Sequence, residues 1–581
     1  MHLIDAIPGV DGLKYYCTHH EQAAAMAAEA YWRQTNRLGV CYATSGPGAT
    51  NILTGLVGAW QDSSAVLFIT GQSKRSETIS ASGISRLRQF GTFEVDIVPM
   101  VRSVTKYAAV LDSPHKVRYG LERAVSLATG GRPGPVLLEI PLDVQGAMVD
   151  ADTLEGWSTQ APERAAHWAD MEQPFRRLML SHRPLILAGH GVRCAGAVAK
   201  FRELTGKLGI PVVTTQLAKD LLPYDSPLFI GHPGVRGDRA GNFAVQTAEV
   251  ILCLGCGLHS QTTGYNPSEF APQAEKIQID RDISVLERAR AKATTQLPGD
   301  IVDCLEAFDA LIGGATDPNR FAGWLATCLS WKSRFAVMSE PHELGEPDGN
   351  INFYEFADVL SGLLSGTETV ITDAGSAFYV MGQAFRTMAD QRYIVSGAMG
   401  AMGYALPASL GAAVGGKDRQ IVCVTGDGSL HANSQELESI RHYGLNVKVF
   451  VIDNDGYASI RNTQAAFFAA HFVGCSRDSG VTLPPLELLA KAYRFPYMNC
   501  SARRDLRSAL QETLKARGPV LCRIQAQEQQ KIMPSVVSTQ SASGVMTSRP
   551  IEDMAPFLDR EELKAILDSP IHRTPSADSS V

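Results

Sequence analysis

The sequence predicts an α/β protein of three domains, each a doubly wound parallel sheet. Two observations carry this. Short apolar runs rich in Val, Ile and Leu alternate with helical patterns along nearly the whole chain, as they do where parallel strands are wrapped in helices. At 581 residues the chain also has room for three or four domains of about 150 residues each. Its hydrophobic fraction of 45% is that of a globular protein able to bury several cores.

The first region, residues 1–150, has strand candidates in LKYYCT, GVCYATS, AVLFITG, TKYAAVL and PVLLEIPLD. A helix of small residues, EQAAAMAAEAYWRQ, follows the first of these. A polar, Trp-containing connector runs from Val149 to Pro174. The second region, residues 175–320, holds PLILAGHGV, IPVVTTQ, AEVILCLGCG and AEKIQIDRD, then fades after Leu311 into polar helical sequence. The third, residues 345–530, carries TVITDAG, RYIVSG, IVCVTGDG, VKVFVIDNDG and PVLCRIQA. Residues 531–581 read as a tail with a Ser/Thr-rich stretch, a short helix in PIEDMAPFLDREELKAIL and a polar end of disordered composition.

Bulk composition excludes several classes. A formal net charge of -7 leaves no basic surplus for nucleic acid. Eleven cysteines, many in apolar runs, fit free thiols in a reducing compartment. Cys253 and Cys256 form a CxxC at a strand exit, with no second Cys or His pair at zinc spacing, and read as core. MHLIDAIPGVDG lacks the basic and apolar regions of a signal peptide. No stretch reaches the ~18 apolar residues of a membrane span. The expectation is a cytoplasmic protein with no membrane or nucleic-acid partner.

The chemistry concentrates where two apolar strands, IVCVT and VKVFVI, run into GDG (Gly426–Gly428) and DNDG (Asp453–Gly456). Parallel α/β sheets bind ligands at such strand ends. Gly426 and Gly428 let the backbone approach a phosphate. A helix predicted from about Asn433 adds free N–H groups and its dipole. Asp427 and Asn454 are oxygen donors of the kind Mg²⁺ takes beside phosphates, and a carbonyl near Gly456 is a third. NDG alone is explained by turn propensity. GDG with an Asn 27 positions on, across strand, loop, helix and strand, points to a metal-bridged diphosphate.

GDG followed at this interval by an Asn pair, here Asp453–Asn454, resembles the signature of thiamine diphosphate enzymes. THHEQAAAMAAEAY, TSGPGATN (Thr44 to Asn51) and SGAMGAMGYALPASLGAA extend the resemblance to the large catalytic subunit of acetohydroxyacid (acetolactate) synthase, across residues 2–530. The resemblance implies pyrimidine-binding, central and diphosphate-binding domains. It implies Glu21 as the catalytic group that hydrogen-bonds the cofactor's aminopyrimidine ring. Met402 would prop the cofactor and Gly400 would accept from its exocyclic amine. Gly426, Asp427, Gly428, Ser429 and Asn454 would hold the diphosphate, with Mg²⁺ on Asp427, Asn454 and Gly456. The activity implied is decarboxylation of a 2-keto acid, pyruvate above all, and transfer of the two-carbon unit to an acceptor carbonyl. The active site would form between chains of a homodimer or tetramer. Read from the residues, Glu21 opens a small-residue helix, an apolar setting suited to proton sharing. Taken alone, it reads as a helix N-terminal acid favoured by the dipole. The Gly397, Gly400, Gly403 spacing also fits tight helix packing.

The chain departs from that family in several places. About one β–α unit that the family carries before His2 is missing, so either this start is displaced or the first domain is incomplete. Phe93, in TFEVDIV, replaces a glutamine near the substrate. Arg461, in GYASIRNTQ, replaces the acceptor-selecting tryptophan and reads either as a partner for a carboxylate or phosphate or as a solvent-facing helix arginine. CGLHSQTTGYN lacks an arginine common in flavin-binding relatives, and FAD stays an open option through LAGHGVR. GDRAGNFAVQ, TTGYN and PIEDMAPFLDREEL resemble a branch associated with surface-polysaccharide or branched-sugar synthesis, which implies a keto-sugar nucleotide as acceptor. Two other readings stay open: a 2-keto acid decarboxylase or oxidase, and an inactive cofactor-binding regulatory homologue. A nicotinamide dehydrogenase is disfavoured, because GHGVRCAG does not fit GxGxxG.

Overall fold

The structure, a computed structural model, describes residues 1–84, 86–158, 168–288, 293–312, 317, 319–540, 544 and 546–568. The polar end of the tail and residues 159–167 of the connector lie outside the described residues. Three parallel sheets form, one per predicted region. The first holds β1 (Gly39–Ala43), β2 (Val66–Gln72), β3 (Tyr107–Val110) and β4 (Val136–Pro141) in the order β1-β2-β4-β3. The second holds β5 (Pro184–Ala188), β6 (Val212–Thr214), β7 (Phe229–Gly231), β8 (Val250–Leu254), β9 (Glu275–Asp280) and β10 (Thr295–Pro298) in the order β10-β9-β8-β5-β6-β7. The third holds β11 (Thr369–Thr372), β12 (Arg392–Val395), β13 (Ile421–Gly426), β14 (Val447–Asp453), β15 (Tyr497–Cys500) and β16 (Val520–Gln525) in the order β12-β11-β13-β14-β16-β15.

Central strands such as β13 and β14 are buried along their length because helices cover both faces of the sheet, which is why they read as unbroken apolar runs. In the third sheet β12 and β13 lie on opposite sides of β11, so the order reverses there. The ligand crevice of such a sheet falls at the C-terminal strand ends beside that reversal. β13 and β14 pair in register from Ile421↔Val447 to Gly426↔Ile452, which sets their two loops side by side.

Four local expectations are corrected. LKYYCT is not a strand. It is an extended leader laid on the third domain, with the Cys17 N–H on the Tyr443 hydroxyl at 2.6 Å and the His19 N–H on Glu436 at 3.0 Å. β7, β10 and β15 went unpredicted, and all three are short edge strands. The helix after GDG starts at Asp427 itself, spans Asp427–His431 and is followed by a second over Glu436–His442. The end of the connector belongs to a helix, Trp168–Leu180.

Small residues bring the first and third domains together. The helix Glu21–Thr35 packs on Ala405–Gly415 so closely that a Cβ at Gly411 would collide with the Ala27 carbonyl. Met26, Ala27 and Ala30 sit in the same buried cluster as Leu406, Leu410, Cys423 and Val449. The tail is not a free extension either. Its Val536 N–H donates to the Val235 carbonyl at 2.8 Å, and Leu563 and Ile566 of the helix Arg560–Leu567 enter the central core. Cys253 and Cys256 are buried free thiols of that core. Among the described residues no helix is long and apolar enough to cross a membrane.

Candidate active site

Asp427 organises the strand ends. It is 3% exposed, and its carboxylate accepts the N–H groups of Gly428 at 2.7 Å, Gly456 at 2.9 Å and Asn454 at 3.2 Å. One carboxylate thus ties the β13 exit to the β14 exit. Burial pushes its pKa up to about 7, against the pull of those N–H groups. Asp427 has no cationic side chain in an ion pair among the described residues, whereas neighbouring Asp453 is paired with Arg523. A buried carboxylate in that condition gains from a cation. The oxygen set of Asp427, the Asn454 carboxamide and the turn's main chain suits a hard divalent ion. Among the described residues no group of three or more His, Cys, Asp or Glu side chains could hold a metal, so carboxamide and main-chain oxygens would have to complete a set here.

The glycines divide into two kinds. A Cβ at Gly428 would collide with the Tyr457 ring, at Gly397 with Leu217, and at Gly403 would sit 2.5 Å from Ala432. At these three positions the missing side chain is required by packing. Gly400, at φ +62°, faces open space, and Gly426 meets only the Ser429 hydroxyl at 3.9 Å. Ser429 itself is buried. Gly456 is required by its turn: φ is +110°, and a Cβ would lie 2.5 Å from the Cys475 carbonyl.

Gly400 and Met402 lie on the loop between β12 and the helix Ala405–Gly415, and Met402 is 42% exposed. Two buried acids clamp that loop. Asp62 accepts the Gly397 and Ala398 N–H groups, each at 3.0 Å. Asp373 accepts Gly403 N–H at 2.9 Å and Ala405 N–H at 3.1 Å. Asp62 is bonded in turn to Arg33, whose guanidinium reaches the Val395 carbonyl at 2.6 Å. Sequence reasoning missed Asp62, Asp373 and Arg33, since their partners lie far along the chain.

Glu21 is the first residue of its helix and is half-buried, not enclosed in an apolar setting. Its carboxylate accepts the Asn51 amide at 3.0 Å, and Gly48 lies beside it. The motif TSGPGATN is therefore brought to Glu21. No hydrogen bond among the described residues joins Glu21 to the loops of Asp427 and Asn454. Phe93 is 69% exposed at φ +59°, its carbonyl against Gly46 of the same motif.

Arg461 is not the solvent-facing helix residue that one reading expected. It is 7% exposed, and it donates to three main-chain carbonyls: Asn454 at 2.6 Å, Glu528 at 2.9 Å and Asp455 at 3.0 Å.

Two cavities open nearby. One of about 390 Å³ is walled by Asp427, Asn454, His431, Arg477 and Arg523; Gly400, Met402 and Ser429 are not part of its lining. The other, about 820 Å³, lies where the three domains meet, between Asp62, His190, Gly255, Asp280, Tyr379 and Gly397.

Comparison with known proteins agrees with the architecture. Residues 1–92, 171–308 and 373–524 match the N-terminal TPP binding, central and C-terminal TPP binding domains of thiamine pyrophosphate enzymes. The chain is similar to the acetolactate synthase large subunit of Cyanidium caldarium, 30% identical over 519 residues covering 88% of this chain and 85% of that protein. It is 31% identical over 527 residues to the large subunit of acetolactate synthase isozyme 2 from Escherichia coli K12, covering 90% and 91%. It is 32% identical over 534 residues to the chloroplastic acetolactate synthase 2 of Zea mays, covering 89% and 80%. With three parallel-sheet domains in the matching order, the chain belongs to the acetolactate synthase large-subunit family of thiamine diphosphate-dependent enzymes.

Proposed function

We propose that this thiamine diphosphate-dependent carboligase takes pyruvate as donor and seats its cofactor through Mg²⁺ at the strand ends of the third domain. The observation that carries the reading is the buried, cation-less Asp427 carboxylate joining the two loops. Asp427, the Asn454 amide and the Gly456 carbonyl would hold Mg²⁺. Gly426, Gly428 and Ser429 would flank the diphosphate.

Thiamine diphosphate supplies the carbanion chemistry when bound. The chain supplies posture and a proton path. Glu21, steadied by the Asn51 amide, would hold a proton at the aminopyrimidine ring. Gly400 and Met402 would offer a main-chain carbonyl and an exposed thioether on the clamped loop. Glu21 shares no hydrogen bond with the third-domain loops among the described residues, which supports a site completed by a second copy of the chain. The 820 Å³ cavity is of a size that supports FAD there. Eleven free cysteines support a reducing compartment such as the cytoplasm.

The acceptor we propose is a keto group on a sugar nucleotide. GDRAGNFAVQ, TTGYN and the tail, which carry that resemblance, meet in the structure. Asn242 donates to the Ile551 carbonyl at 2.7 Å, Gln246 to Glu552 at 2.6 Å, and Gly264 abuts Ile551. They bind the tail to the central domain, so support for this acceptor rests on the resemblance.

An NMR time course with ¹³C-pyruvate, Mg²⁺ and thiamine diphosphate, with and without FAD and candidate acceptors, tests the proposal. A labelled acyloin or branched sugar that needs the acceptor is expected. Labelled acetaldehyde or acetate formed regardless of acceptor would establish a decarboxylase or oxidase instead. Untouched pyruvate in every mixture of folded protein would mean that the donor is another 2-keto acid or that the homologue is inactive.

A further inference from the structure

The turn from Asn454 to Gly456 is held in a conformation that the chain does not adopt readily. Asp455 has φ +58° and Gly456 φ +110°, two left-handed residues in succession, the first of them with a side chain. Such backbone persists only where its surroundings over-determine it. The N–H side is accounted for: Asn454 and Gly456 donate to Asp427 at 3.2 and 2.9 Å, and Tyr457 to the Cys475 carbonyl at 2.8 Å. Among the described residues the carbonyl side is held by one side chain. The Arg461 guanidinium, in the first turns of the helix Ala458–Phe467, takes the Asn454 and Asp455 carbonyls together. It also reaches the Glu528 carbonyl, just beyond β16, and so pins the turn to the neighbouring strand.

Arg461 makes no ion pair among the described residues, and its Nε is buried without a hydrogen-bond partner. A buried guanidinium spent wholly on main-chain oxygens is costly, and a planar fork is the side chain that can reach several carbonyls at once. Two of the turn's carbonyls are thereby committed to Arg461. The Gly456 carbonyl and the Asn454 carboxamide are left over.

We propose that Arg461 is a positioning residue for the cation. By fixing the carbonyl side of the turn opposite Asp427, it leaves the Asn454 carboxamide and the Gly456 carbonyl to the divalent ion. Its hydrogen bonds among the described residues all go to main-chain carbonyls. The inference rests on the cation reading of this turn given above.

The test is thiamine diphosphate binding, followed by calorimetry as Mg²⁺ is varied, on the full-length protein and on Arg461→Ala, Arg461→Gln and Arg461→Lys. Outer-shell partners of metal ligands commonly govern about 10- to 100-fold in metal affinity, and Arg461→Ala should raise the half-saturating Mg²⁺ concentration by that order. Arg461→Lys, which keeps the charge and loses the fork, should fall between. Added guanidinium at non-denaturing concentration should restore part of the Arg461→Ala loss. Unaltered Mg²⁺ dependence in folded Arg461→Ala would overturn the proposal. So would a defect confined to the KM of the acceptor, which would make Arg461 an acceptor contact. If Arg461→Ala does not fold, the glutamine and lysine variants carry the same readout. Wild-type protein that binds thiamine diphosphate without Mg²⁺ would show that the cation reading itself is wrong, before any variant is compared.

Discussion

Asp373 accepts the main-chain N–H of Gly403 at 2.9 Å and so fastens the glycine-rich loop to the end of β11. Its carboxylate also accepts from Ala374 at 2.8 Å and from Ala405 and the Thr425 hydroxyl at 3.1 Å each. Burial pushes its pKa up, and these donors pull it back. Asp373→Ala would orphan buried donors worth roughly 1–3 kcal/mol apiece. We expect a loss of about 3 kcal/mol or more on denaturant unfolding. Asp373→Asn, which keeps an acceptor, should lose less.

Arg33 lies between Asp62 at 3.3 Å and Glu29 at 3.6 Å, all of them buried. Burial pushes both carboxyls up, and Arg33 pulls them down. Arg33→Met strands two buried acids, and a loss of about 3–5 kcal/mol in unfolding free energy is expected. Adding Glu29→Gln to Arg33→Met should recover part of it.

Glu139 on β4 is buried against Gln72, whose amide donates to it at 3.0 Å, and burial pushes its pKa up to about 8. The folded state then holds a proton that the unfolded chain releases from the ordinary carboxyl range upward. Its contribution to stability is present at acid pH and is lost as pH rises through about 8. Thermal melts should show the wild type losing stability relative to Glu139→Gln between mildly acid and mildly alkaline pH. Parallel curves would contradict this.

Glu21→Gln keeps the Asn51 contact within reach but cannot hold the proton. Turnover of pyruvate should fall on the order of 10²- to 10⁴-fold, the usual weight of a positioned acid–base group. Binding of thiamine diphosphate should persist. Undiminished turnover would remove Glu21 from the proposed chemistry.

Much of this was legible in the residues. Strands buried on both faces, such as Ile421–Gly426 and Val447–Asp453, announce themselves as apolar runs, and the turn chemistry of GDG and DNDG marks where they end. What was hidden is of two sorts. Short edge strands such as Phe229–Gly231 and Thr295–Pro298 carry too few residues for a period to show. Long-range polar contacts have no local signature: Arg33 meets the Val395 carbonyl 362 positions away, and Asp62 meets Gly397 at 335. Arg461 was misjudged because helix position does not reveal that its carbonyl partners lie in the turn just before it and beyond β16.

Asp427 and the Asn454–Gly456 turn are proposed to seat the cofactor through a divalent cation. Calorimetric titration of thiamine diphosphate into wild-type protein and Asp427→Asn, in Mg²⁺ and in EDTA, tests it most directly. Tight binding is expected only for the wild type in Mg²⁺, with EDTA or Asp427→Asn weakening it severely. Equal binding in all four titrations would contradict it.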